Sequence, residues 1–135
     1  MDVTPILDQL NDAQRDAVTA SQSPLLVVAG AGSGKTRVLV HRIAWLIQVE
    51  QVSPLGILAV TFTNKAANEM RERILGLVGE PGREVAMGTF HSLCARVLRR
   101  DGIAIGIPPR FTIYDTDDQQ GLMKQVLRDL ELQGT

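Results

Sequence analysis

The residues whose types could do chemistry begin at Gly30-Ala31-Gly32-Ser33-Gly34-Lys35-Thr36, a glycine-rich turn ending in Gly-Lys-Thr. Glycines let the backbone curl so that successive N–H groups face one point, where they can hold phosphate oxygens. Lys35 adds a point charge for the β- and γ-phosphates, and the Thr36 hydroxyl can ligate Mg²⁺. A helix beginning at Lys35 would aim the positive end of its dipole at the same point. The strict pattern has glycine five residues before Gly34, where this chain has Ala29, a one-carbon exception. The stretch from Ala29 to Thr36 is therefore expected to bind a nucleotide's phosphates, with Lys35 and Thr36 at the reacting group.

Other polar residues are placed where they could complete such a site. Arg37 follows on the first helical turn, within reach of a bound nucleotide, although a plain surface arginine would look the same. Gln14 admits two readings. Three residues after Asn11 it can close a capping box, and its paired donor and acceptor atoms also suit an adenine edge. Phe62-Thr63-Asn64-Lys65 could stack on a base and hold its phosphate, as in single-strand binders. Its alternative is a core Phe62 beside an Asn64 helix cap. Thr89-Phe90-His91-Ser92 repeats the arrangement, with capping or packing as the default for His91. His41 has no second ligand at metal spacing and is expected to be solvent-exposed.

The elements that must carry these residues alternate. A turn of helix around Ile6 to Leu10 and a short helix from Asn11 to about Ala20 precede the apolar run Leu25 to Ala29, which reads as a first strand covered on both faces. After the loop, Leu39, Ile43, Leu46 and Ile47 recur at helical spacing and predict a helix with that side on the sheet. Ile57 to Thr61 is a second buried-type strand, followed by a helix with Ala67, Met70, Ile74 and Leu77 on one face. Glu84 to Gly88 is a weaker strand, and its helix puts Phe90, Leu93, Cys94, Val97 and Leu98 on one side. Ligands bind at the carboxyl ends of strands in open α/β sheets, so two polar strand ends in one sheet predict a shared binding edge. Gly102 to Pro109 is loop-like, Phe111 to Tyr114 extended, and Thr116-Asp117-Asp118-Gln119 resembles a capping box. It opens a helix with Leu122, Met123, Val126, Leu127 and Leu130 inward.

With 135 residues and 44% hydrophobic content, the chain suits one domain or part of one, with a modest core. No apolar run is long enough to span a bilayer and the N-terminus lacks the regions of a secretory signal, which points to the cytoplasm. The single Cys94 cannot form an intramolecular disulfide, and core packing is its expected role. Net charge is -1 but unevenly spread: Ser33 to Arg100 holds ten Lys/Arg against five Glu, so the middle of the chain is basic.

The order of motifs resembles the amino-terminal part of the UvrD/PcrA/Rep superfamily 1 DNA helicases. It is carried by Leu10-Asn11-Asp12-Ala13-Gln14, then residues 29–37, then Ala59-Val60-Thr61-Phe62-Thr63-Asn64-Lys65-Ala66-Ala67, then Gly88-Thr89-Phe90-His91, with Val38 to Leu46 also alike. The resemblance runs through nearly the whole chain, and the family's phosphate loop often begins with alanine. It implies an α/β P-loop NTPase fold, with an incomplete RecA-like parallel sheet flanked by helices. Residues 1–107 would begin the first RecA-like ATP-binding domain, and residues 108–135 the helical subdomain inserted in it. It also implies that Gln14 recognises adenine, that Ala29, Gly30, Ala31, Gly32, Ser33, Gly34, Lys35, Thr36 and Arg37 bind ATP with Mg²⁺ on Thr36, and that Phe62, Thr63, Asn64, Thr89 and His91 face DNA. The implied partners are single-stranded DNA, single-strand/duplex junctions and the remainder of a helicase chain, with no membrane.

Two rival classes use the same residues. One is a P-loop small-molecule kinase or GTPase, against which Gln14 and the Phe62 and His91 strand ends argue. The other is a non-catalytic single-stranded-DNA-binding module with a vestigial loop. No acidic pair follows an apolar strand as the family's Asp-Glu motif would; Asp117-Asp118 sits at a helix start instead. With the ending Leu132-Gln133-Gly134-Thr135 reading as a cut, the expectation is a piece of a larger 3′–5′ repair helicase, inactive alone in hydrolysis and unwinding.

Overall fold

The structure, a computed structural model, describes residues 2–132, so most of the ending read as a cut lies outside the described residues. The chain divides into two compact units, residues 1–94 and 95–135. In the first, helix α1 (Thr4–Leu7) leads to α2 (Asp12–Thr19), then an extended stretch and the glycine-rich turn, then α3 (Lys35–Gln48). A 3₁₀ turn (Pro54–Gly56) precedes strand β1 (Leu58–Thr61) and helix α4 (Asn64–Val78). A second 3₁₀ turn (Glu80–Glu84) leads to strand β2 (Ala86–Thr89) and to α5 (Phe90–Asp101).

Helix α3 is the pivot of this unit because its two sides enter two apolar clusters. Val40 and Ile43 join Met70 and Ile74 of α4 with Val85 and Met87. Val38 and Ala44 join Ile6, Leu10 and Val18. Each fully buried aliphatic side chain contributes about 1.5–3 kcal/mol, so α3 is held from both sides. Leu39, expected inward, is instead 51% exposed, since the helix packs on helices α2 and α4 and Val38 and Val40 take the buried positions beside it. His41 also departs from expectation. It is buried and its ring Nδ1 hydrogen-bonds the Ile6 carbonyl, which ties α3 to α1. Arg42 donates to the carbonyls of Ala17, Val18, Ala20 and Ser21, taking up the acceptors left open where α2 ends.

Strands β1 and β2 are parallel, in register Leu58 with Ala86 through Thr61 with Thr89. Both therefore end at the same edge. The run Leu25 to Ala29 is a correction: it makes no ladder among the described residues, and Leu26 and Val28 are 87% and 90% exposed. Leu25 and Val27, at 48% and 47%, turn the other way, so the stretch has the two-residue alternation of an extended chain with one side partly covered. A parallel strand needs a neighbour and a covered second face, and neither is present here.

In the second unit, Gly102–Ile105 forms a 3₁₀ turn within the stretch expected to be a loop, and Phe111 to Tyr114 is extended without pairing. Arg99 lies 4.4 Å over the Phe111 ring and donates to the Pro109 carbonyl at 3.1 Å. Helix α6 (Thr116–Asp129) is capped one residue earlier than expected, by a box between Asp115 and Asp118. Leu122, Met123, Val126 and Leu130 are exposed rather than inward, because nothing described in this unit covers that face. On α5, Phe90, Cys94 and Val97 are likewise exposed, so Cys94 does not pack in the core.

Candidate nucleotide site and strand-end edge

The phosphate loop takes its shape from two glycines in left-handed backbone, Gly32 at φ +75° and Gly34 at φ +80°. Ser33 folds back on Gly30, its backbone N–H donating to the Gly30 carbonyl at 3.3 Å and its hydroxyl at 2.5 Å. Gly34 then caps α3: its carbonyl accepts from Val38 at 3.1 Å and no side chain covers the helix end. The first-turn N–H groups of Lys35, Thr36 and Arg37 are left without helical acceptors, which is the arrangement that receives an anion.

Gln14 is engaged at both ends of its amide. Oε1 accepts from the Asn11 backbone at 3.0 Å while the Gln14 backbone donates to Asn11 Oδ1 at 2.9 Å, a closed capping box. Nε2 reaches across to donate to the Ser33 carbonyl at 3.0 Å. That bond needs glycine next door, since a Cβ at position 34 would stand 2.8 Å from Gln14 Nε2. A cleft of about 680 Å³ opens here, lined by Gln9, Asn11, Gln14, residues 32–37 and, from α4, Arg73. On the other side of Gln14, a more apolar groove of about 590 Å³ runs between Leu25, Val27, Ala29 and Gly30 and the residues Ala13, Ala17 and Val38.

The other candidates gather at the shared end of β1 and β2. Phe62 is 90% exposed and Phe90 53%, with ring centroids 5.7 Å apart and planes tilted by 45°. Thr63 is the residue that caps α4, its hydroxyl accepting from Ala66 at 3.1 Å, while Asn64 begins the helix exposed. Thr89 is buried and accepts from the Ser92 backbone at 3.1 Å, which leaves His91 as the exposed polar side chain of its pair. Helical spacing alone puts Phe90 on an inward face, yet the pairs Thr61-Phe62 and Thr89-Phe90 carry the same residues at equivalent strand ends. That repetition is the signal by which Phe90 could have been found. Arg73 had no such signal, because only the packing of α4 on α3 brings it to the cleft.

The family model for the UvrD/REP helicase N-terminal domain matches residues 10–134. The chain belongs to this family. Among curated relatives, the ATP-dependent DNA helicase PcrA of Staphylococcus aureus is 53% identical over 124 residues, 92% of this chain and 17% of that protein. PcrA of Leuconostoc citreum is 55% identical over 133 residues, covering 98% of this chain and 18% of its own. DNA helicase II of Escherichia coli K12 is 55% identical over 132 residues, again 98% of this chain and 18% of that protein. The chain thus spans 17–18% of the length of these UvrD/REP relatives. Membership fits the P-loop α/β arrangement of the first unit, with its two-stranded parallel sheet and flanking helices. No helix among the described residues is long and apolar enough to cross a membrane.

Proposed function

We propose that this chain is the ATP-binding and single-stranded-DNA-binding segment of an ATP-dependent 3′–5′ DNA helicase that acts in DNA repair, in the cytoplasm. The observation that carries the reading is the phosphate loop opening onto the bare N-terminus of α3, with the Gln14 amide held against it. ATP is the ligand on this reading, its phosphates on the N–H groups of residues 29–36, Lys35 on the β- and γ-phosphates and Arg37 beside the nucleotide. Gln14 reads the adenine edge after releasing the Ser33 carbonyl, which frees Nε2 while the capping box can stay closed. Magnesium chemistry is compatible with the donors present, in that Thr36 offers a hydroxyl at the cleft and the remaining oxygens would come from phosphate and water. When bound, the ion neutralises charge developing on the phosphates.

At the shared strand end, exposed Phe62, Asn64 and His91 with Thr63 supply stacking and polar contacts for single-stranded DNA and its junction with duplex, Thr89 acting as the cap that orients His91. Residues 1–107 begin a RecA-like domain and 108–135 its inserted helical subdomain. The remainder of the helicase chain would cover the run from Leu25 to Ala29. The test is equilibrium binding of a fluorescent ATP analogue to the chain and to Lys35→Ala. The expected result is saturable binding, reduced about tenfold or more by loss of the charged phosphate contact. Equal binding by the two proteins would refute the phosphate-loop reading.

A further inference from the structure

We infer that Arg73 is a nucleotide-binding residue, a third cation that α4 contributes to the phosphate loop's cleft. The inference rests on the nucleotide-site reading above. Arg73 lines the same cleft as Lys35, Thr36 and Arg37. Among the described residues the cleft's lining holds three cationic side chains, Lys35, Arg37 and Arg73, and no carboxylate, and the α3 N-terminus adds its dipole to the same sign. Such a cleft concentrates an anion, and a nucleoside triphosphate is the anion that the adjoining loop is shaped to take.

The position of Arg73 on its helix sets it apart from the other α4 arginine. Arg71 turns under the helix and donates to the Met87 carbonyl at 3.2 Å, which is a structural bond to β2. Arg73 is exposed and, among the described residues, has no hydrogen bond or ion pair. The next residue, Ile74, is fully buried against α3 and β2, so the backbone that carries Arg73 is fixed even though its side chain is free. A guanidinium on a fixed helix, open to solvent at a cleft lined by two further cations, is available to an anion bound there. The anionic triphosphate would give it charge-assisted hydrogen bonds.

Binding of Mg·ATP, inorganic triphosphate and adenosine to the full chain separates the possibilities, with Lys35→Ala as a control. Arg73→Ala is expected to weaken Mg·ATP and triphosphate about tenfold, and Arg73→Glu more, with adenosine affinity and thermal unfolding unchanged. Unchanged Mg·ATP affinity in Arg73→Ala, where Lys35→Ala loses it, would overturn the role of Arg73 and leave the phosphate loop standing. Equal losses for adenosine and ATP would overturn it too, by moving the contact from phosphate to base. If Lys35→Ala itself binds like the unaltered chain, both the loop and Arg73 fail as phosphate ligands.

Discussion

Gln14 has a structural role in the fold, and the proposed reading of adenine adds a second that need not conflict with it. Its carbonyl oxygen closes the capping box with Asn11, and its amide nitrogen spans to the Ser33 carbonyl in the loop. An adenine edge presents a donor and an acceptor, so the nitrogen must leave Ser33 for the base to be read. Gln14→Ala removes both bonds at once. Two outcomes are expected: a loss of about 1 kcal/mol in stability from the cap and cross-tie, seen in urea unfolding, and a narrower preference for ATP over GTP, worth ~1–3 kcal/mol for the lost contact. Equal ATP and GTP affinity in the unaltered chain would leave Gln14 with the cap alone. Gly34 stands behind this arrangement, since its left-handed backbone and missing Cβ make room for the Gln14 amide.

The elements divide the apolar residues into those that hold the fold and those that face outward at the strand ends. Ile74 is fully buried between α3 and the sheet, whereas Phe62, on the turn after β1, is 90% exposed. Truncating the first leaves a cavity and is expected to lose about 2–5 kcal/mol of stability. Phe62→Ala removes almost no buried surface, so its unfolding midpoint should stay close to that of the unaltered chain. Its effect belongs on DNA: affinity for labelled single strands, measured by fluorescence anisotropy, should fall by ~1–3 kcal/mol for the stacked base. The binding itself should be salt-sensitive and nearly independent of sequence. A Phe62→Ala protein as destabilised as Ile74→Ala would identify Phe62 as a core residue and remove the stacking platform. Parallel register is what makes the pair of rings possible, because Thr61 opposite Thr89 sets Phe62 beside Phe90.

At the scale of the whole molecule, the cleft is equipped for binding more fully than for hydrolysis. On the proposed reading Lys35, Thr36 and the α3 N-terminus position phosphate and metal, but among the described residues no carboxylate lines the cleft to order water and metal. Arginines reaching across from a facing domain are worth about 10³–10⁵ in rate in related phosphate-loop enzymes. The chain by itself should therefore release no phosphate above a Lys35→Ala control when single-stranded DNA is added, and should unwind no duplex. DNA-stimulated hydrolysis abolished by Lys35→Ala would overturn this and direct the search for a carboxylate to Asp115, Asp117 and Asp118.

The sequence by itself determined the features that depend on neighbours along the chain. The loop's glycines, the Asn11–Gln14 box, the two strands with polar residues at their ends and the buried face of α4 all follow from spacing, because caps, turns and helical periodicity act over a few residues. Tertiary structure alone decided what required a partner from elsewhere. It buried His41 against Ile6, gave Arg42 four carbonyls at the end of α2, turned Leu39 and Cys94 outward, and left Leu25 to Ala29 without a ladder. It also brought Arg73 to the phosphate loop and Phe90 to Phe62. Periodicity says which side of a helix is apolar. Which surface meets that side, and which cation faces which cleft, is set by packing between segments far apart in the chain.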